Sequence, residues 1–198
     1  AKVFTKLQPD LVVVLGDRYE LLPICSAALV MRIPIAHISG GDVTIGAIDN
    51  EVRNAVTMMA SLHFPGVEES AQNIIRMCNS SGNVWTVGEP GLDNFRRGTL
   101  MTRLELAENI GIPIKNKWIL VTLHPETNES LEYNLQMAKN IISLTDCKED
   151  VSIVISKANA DFGGNQINEY WAKVEKQNPR KYHLYPSLGQ MRYLSFMN

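Results

Sequence analysis

The residues able to do chemistry in this chain fall into separate loops. Asp17 and Arg18 lie in "LGDRYE", and Ser39, Asp42, Asp49 and Arg53 in "HISGGDVTIGAIDNEVRN". His124 lies in "TLHPET", and Lys157, Asn159 and Asp161 in "SKANADFGG". Carboxylates and imidazoles transfer protons, and guanidinium groups hold phosphates, so these are the materials of general acid–base work on an anionic substrate. Each residue also has an ordinary structural reading. Asp17 stands just ahead of a helix and could accept backbone N–H groups as its N-cap, or it could be an acid or base with Arg18 holding a phosphate. Asp49 and Arg53 are spaced to share a helix face, which gives either a surface ion pair or, with Asp42, a converging group. His124 ends an apolar run, where a His can be structural, bond a phosphate or carry a proton. Gly163 and Gly164 lead into a helix and form either a plain turn or a backbone anion seat. His37 and His63 lie in apolar runs and read as core histidines with their hydrogen bonds made, and His183 has no supporting partner. Neither a P-loop nor a dinucleotide-binding spacing is present, no group has metal-ligand spacing, and no cofactor is expected.

Alternating strands and helices must position these loops. "DLVVVLG" is a continuous β-branched run of the kind buried on both faces of a parallel sheet. The helical pattern of "DRYELLPICSAALVMR" follows, and then a second strand, "IPIAHIS". A helix over about 49–61, a short "LHF" strand, a helix over about 67–78 and a "VWTVG" strand continue the pattern. The segment at about 89–103 has glycines, a proline and little periodicity, and reads as a linker. Alternation restarts with strand "KWILVTL", helix "ESLEYNLQMAKNIISL", strand "VSIVIS", helix "NQINEYWAKVEKQ" and strand "KYHLY". The final "LGQMRYLSFMN" begins another helix. The order implies an α/β fold of two parallel-sheet domains, 1–97 and 98–198, each partial. Ligands of open α/β sheets bind beyond strand carboxyl ends, where all four polar loops fall. A cleft between two facing domains is therefore the expected site.

Composition narrows the function further. With 198 residues, 45% hydrophobic and 20% charged, the chain can bury one or two cores. A net charge of −2 with interspersed signs predicts no nucleic-acid partner and no anionic-membrane surface. Cys25, Cys78 and Cys147 are odd in number and far apart, which predicts buried free thiols and a cytoplasmic setting. No apolar run reaches membrane-spanning length, and the first and last residues read as lying inside domains.

Together, "GDRYELL", "IPIAHISGGDVTIGAIDNEVRN", "SLHF", "GEPGLDN", "VTLHPET" and "KANADFGG" occur in an order that resembles the UDP-N-acetylglucosamine 2-epimerase family. The chain is most similar to its hydrolysing branch, which serves sialic-acid and related nonulosonic-acid synthesis. The resemblance covers essentially the whole chain. It implies two Rossmann-like domains in a GT-B-like arrangement, a UDP-sugar substrate and a homo-oligomer, dimer or tetramer. It also implies an inactive fragment, because an opening loop and a closing phosphate-binding loop are missing. The implied reaction removes the C2 proton with anti-elimination of UDP, then adds water across the double bond with C2 reprotonated from the opposite face. UDP-N-acetylglucosamine would yield N-acetylmannosamine. Asp17, Asp42, Asp49 and His124 would carry protons, while Arg18, Ser39, Arg53, Lys157, Asn159 and Asp161 would bind substrate. Well-known hydrolysing members carry a Glu where this chain has Ser39, and Asp42 is the carboxylate expected to replace it. Asn54 occupies a position that is often His. Rival expectations are the same chemistry on a UDP-diacetamido-trideoxy sugar of the legionaminic-acid route, a GT-B glycosyltransferase, and a non-catalytic nucleotide-sugar binder.

Overall fold

A computed structural model describes residues 1–98 and 100–198; Thr99, inside the expected linker, lies outside the described residues. The chain divides into two compact units, Ala1–Asn94 and Phe95–Asn198. Each is built around a three-stranded parallel sheet.

In the first unit, α1 (Lys2–Leu7) leads to β1 (Val12–Leu15), α2 (Leu21–Val30), β2 (Ile35–Ile38), α3 (Asp49–Met59), β3 (Leu62–Phe64) and α4 (Glu68–Cys78). The sheet order is β1-β2-β3, with Val14 opposite His37 and His37 opposite His63. Pro23 is tolerated in α2 because it sits in the first turn, where its missing N–H has no helical partner to lose. α3 opens with Asp49 and Glu51, which suit the positive end of the helix dipole, and buries Val52, Arg53, Val56 and Thr57. Val14, Cys25, Ala28, Ile35, Val52 and Val56 form the core.

In the second unit, α5 (Asp93–Arg97) crosses the boundary and is followed by α6 (Arg103–Ile110), β4 (Lys117–Thr122), α7 (Leu131–Asp146), β5 (Val151–Ser156), α8 (Gly164–Gln177), β6 (Tyr182–Tyr185) and α9 (Gly189–Met197). The sheet order is β4-β5-β6. Central β5 buries Val151 through Ile155 on both faces, as a continuous apolar run should. Trp171, Ile167 and Tyr182 close one side of the sheet, and Leu106, Ile110 and Leu188 pack around Val154 on the other.

Several expectations need correction. "DLVVVLG" is not buried on both faces: Val13 is 60% and Leu15 58% exposed, while Val14 on the opposite face is 5% exposed and packs in the core. "VWTVG" is not a regular strand. Val84 makes a single bridge to His63, and the Trp85 and Val87 N–H groups reach the carbonyls of His63 and Pro65 at 2.9 and 3.0 Å. Pro65 has no N–H to continue the ladder. The expected linker contains a 3-10 turn at Pro90–Leu92 and then α5. α6 is fixed by a Thr102/Glu105 capping box and a left-handed Gly111. Of the thiols only Cys25 is fully buried, and Cys147, just past the end of α7, is exposed. His63 is buried but not satisfied, since its Nδ1 has no partner among the described residues. No described helix is long and apolar enough to cross a membrane.

Candidate functional site

The first polar group stands at the carboxyl edge of the β1-β2-β3 sheet. The Gly16 N–H donates to the Ile38 carbonyl at 2.9 Å and the Ser39 N–H to the Phe64 carbonyl at 3.0 Å, which holds the three strand ends in step. Asp17 then leaves β1 half-buried, and its carboxylate receives Nη2 of Arg53 from α3. Arg53 is only 5% exposed. Its Nη1 donates to the Asp42 carbonyl at 3.0 Å and to the Thr44 hydroxyl at 2.9 Å, while Nε has no partner among the described residues. One buried cation thus ties the loop after β1 to the loop after β2. Charge-assisted bonds of this kind are short and directional. Asp17 is therefore no helix cap, since α2 starts at Leu21 with Glu20 in the cap position. Arg18 is exposed beside it and pairs with Glu20 at 3.4 Å.

His37 braces the same edge from below. Its Nε2 lies 2.8 Å from the Gly16 carbonyl and its Nδ1 3.1 Å from the Thr57 hydroxyl. A carbonyl only accepts, so Nε2 carries the proton and Nδ1 accepts from Thr57. Burial is the main reason the ring is held below its ordinary pKa of 6.5, and the Arg53 charge adds to it; the Gly16 bond and Asp17 oppose. His37 is a neutral strut. Gly40 follows closely, with a Cβ there falling 2.8 Å from His37 Nδ1.

The loop after β2 is clamped onto α4. Asn73 donates to the Gly41 carbonyl at 2.8 Å, and Ser70 donates to the Asp42 carboxylate. Gly41, at φ +83°, has no room for a side chain: a Cβ would stand 2.2 Å from the Ser70 carbonyl. Asp42, Thr44, Arg53, Ser70 and Asn73 line an open hollow of about 380 Å³. Asp49 is the half-buried first residue of α3, a turn ahead of Arg53. Ser39 takes the left-handed conformation at φ +57°, and its hydroxyl donates to Glu89 at 2.8 Å. Asp42 and Ser39 thus face different partners.

The second group belongs to the other unit. His124 follows β4 and is exposed; its Nδ1 accepts the Asn159 N–H at 3.1 Å, so a neutral ring carries its proton on Nε2. Asn159, after β5, also donates to the Asp161 carboxylate. Gly163 turns into α8 at φ +89°, and a Cβ on Gly164 would lie 2.1 Å from the Asn159 carbonyl. Lys157 is half-buried at the end of β5. Among the described residues no His, Cys, Asp and Glu cluster could hold a metal ion.

Sequence reasoning placed no role on Glu89, Thr44, Ser70 or Asn73. Glu89 was findable, since it is a carboxylate directly after an apolar extended run, as Asp17 is. Its position beside Pro90 and Gly91 drew it into the linker reading instead.

Two parallel-sheet units with polar loops at their strand carboxyl ends define the Rossmann-like α/β class found in GT-B-type proteins. Within that class the chain belongs to the UDP-N-acetylglucosamine 2-epimerase family, whose sequence model matches residues 1–198. It is 31% identical over 194 residues to the hydrolysing GDP/UDP-N,N'-diacetylbacillosamine 2-epimerase of Campylobacter jejuni, covering 98% of this chain and 50% of that protein. It is 31% identical over 170 residues to the polysialic acid biosynthesis protein P7 of Escherichia coli, covering 84% of this chain and 43% of that one. A crystal structure of the Methanocaldococcus jannaschii UDP-GlcNAc 2-epimerase with UDP-GlcNAc and UDP superposes with a TM-score of 0.77 at 18% identity, covering 98% of this chain and 54% of that one. The chain spans about half the length of the curated relatives it matches.

Proposed function

We propose that the protein containing this chain is a hydrolysing UDP-sugar 2-epimerase that releases UDP and a free, C2-inverted 2-acetamido sugar. The observation that carries this reading is the Asp17–Arg53 pair at the carboxyl edge of the first sheet, where a carboxylate is held in one orientation by a buried cation. In the first step a base takes the C2 proton, the C1–O bond to UDP breaks and a C1=C2 double bond forms. In the second, water gives its hydroxyl to C1, and C2 is protonated from the opposite face. Asp17, Asp49 and His124 are the proton carriers of this reading. Arg53 sets Asp17, while Arg18, Lys157, Asn159 and Asp161 handle the diphosphate and sugar.

For the substrate, the hydrolysing diacetylbacillosamine enzymes of Campylobacter jejuni and Legionella pneumophila, 31% and 32% identical to this chain, favour a UDP-diacetamido-trideoxy sugar. UDP-N-acetylglucosamine is the second reading, supported by the description of the family. The protein is expected to work as a dimer or tetramer, which light scattering on the full-length protein would test. The deciding experiment offers the full-length protein each sugar nucleotide separately in deuterated water. The expected products are UDP and a free sugar carrying deuterium at C2, with the diacetamido sugar turned over faster. UDP release without deuterium would mean direct hydrolysis and would overturn the epimerase reading. Transfer to an acceptor sugar would replace it with a glycosyltransferase.

A further inference from the structure

The reaction proposed above needs more than one proton carrier, because C2 loses a proton on one face and regains one on the other. In this chain the strand-end residue after β2 is Ser39, which has no carboxylate. Its backbone is nonetheless fixed there by the bond to the Phe64 carbonyl, and its hydroxyl points at another chain segment, donating to Oε2 of Glu89 at 2.8 Å. Glu89 follows the extended stretch that runs beside β3, so its backbone leaves the sheet at the same carboxyl edge as Asp17 and Ser39. The other carboxylate oxygen rests over Gly66: a Cβ on Gly66 would lie 1.9 Å from Oε1 and 2.7 Å from the carboxyl carbon. A hydroxyl donor on one side and a bare backbone on the other therefore seat this carboxylate.

The Asp42 carboxylate is committed elsewhere. It receives the hydroxyl of Ser70, a residue 3% exposed on α4, while its carbonyl receives Arg53. Those bonds fasten the loop to α3 and α4. We propose that Glu89, held by Ser39, is a further carboxylate of the reaction beside Asp17 and Asp49 and exchanges a proton with the sugar. Ser39 is its positioning residue, and Asp42 fastens the loop. This rests on the epimerase reading.

The test uses the full-length protein and the sugar nucleotide it turns over, with UDP release and C2 deuterium followed together. Glu89→Gln keeps an acceptor for the Ser39 hydroxyl, so its melting temperature should stay close to the parent's. Its kcat should fall by roughly 100-fold or more with KM within about threefold, the scale of a lost general acid or base. Placing the acid on the strand end, in Ser39→Glu/Glu89→Gln, should recover at least about tenfold of that loss, which a merely structural role for Glu89 would not do. Parental kcat in Glu89→Gln would overturn the proposal and leave the epimerase reading standing. A parent protein that releases no UDP from either sugar nucleotide would overturn both. If Glu89→Gln failed to fold, Glu89→Asp would decide: a loss of about tenfold or more at unchanged melting temperature supports the proposal, and parental turnover overturns it.

Discussion

Arg53 is the residue on which the first polar group turns, because three bonds leave one guanidinium that is almost wholly buried. Removing its anionic partner leaves a buried cation facing a neutral group, an arrangement that destabilises even where the intact pair contributes little. Asp17→Asn should therefore lower stability by about 2 kcal/mol, discounted because the Asp17 side chain is 27% exposed, besides cutting kcat by roughly 100-fold. Thermal melting and single-turnover UDP release on the same preparation separate the two effects. A variant that keeps its kcat would confine the pair to structure. The types of Asp17 and Arg53 and their places, one just past a strand and one on a helix, were readable in the sequence, but their pairing was not. The helical spacing put Asp49 and Arg53 on one helix face, and only the fold brings the β1 loop across to α3. The Ser39–Glu89 contact was hidden for a related reason, since the two residues lie far apart in the chain and a proline beside a glycine suggests a turn before a site.

Among the elements, the long periodic helices and the strands β2, β4, β5 and β6 were legible because burial and periodicity agree there. The failures fell where tertiary context outweighs local pattern. Apolar β1 packs only the face that carries Val12 and Val14 and leaves Val13 and Leu15 exposed, and "VWTVG" runs beside β3 without forming a ladder because Pro65 interrupts it. α6 went unassigned although its Thr102 and Glu105 are spaced as a capping box. The loop between β2 and α3 shows how tightly an element can be specified: Gly41 combines a left-handed backbone with direct apposition to the Ser70 carbonyl. Gly41→Ala should cost roughly 2–4 kcal/mol through backbone strain and overpacking. Gly88→Ala has open space around its Cβ and should carry only the conformational share, at most about 2 kcal/mol. Equal chemical-denaturation midpoints for the two variants would refute the apposition argument.

At the scale of the whole molecule, the two neighbouring sheet histidines give the fold a pH dependence with a definite sign. His37 and His63 both titrate below the ordinary value of 6.5, burial being the leading cause in each, and a charge on His37 further disfavours one on His63. The unfolded chain therefore binds protons more readily than the folded one. Stability is fully present above about pH 6.5 and falls as the pH drops toward the depressed folded values. Melting temperature scanned downward from pH 7.5 should decline below about pH 6.5, and His63→Leu should flatten part of that decline. A profile unchanged in His63→Leu would mean that His63 contributes nothing to the acid limb.

The exposure of Cys147 sets up a different use of the molecule. Thiols react as thiolates, and burial pushes Cys25 and Cys78 above their ordinary pKa, Cys25 being fully enclosed as well. An alkylating dye supplied in modest excess should therefore mark Cys147 first, which peptide mass mapping would check. α7 departs from the carboxyl edge of its sheet after β4 and returns to the amino edge before β5, so a dye just past its last residue stands at the end of the sheet opposite His124. The native chain thus carries its own attachment point for an optical reporter, at the end of its sheet away from the His124 and Asn159 loops of the same unit.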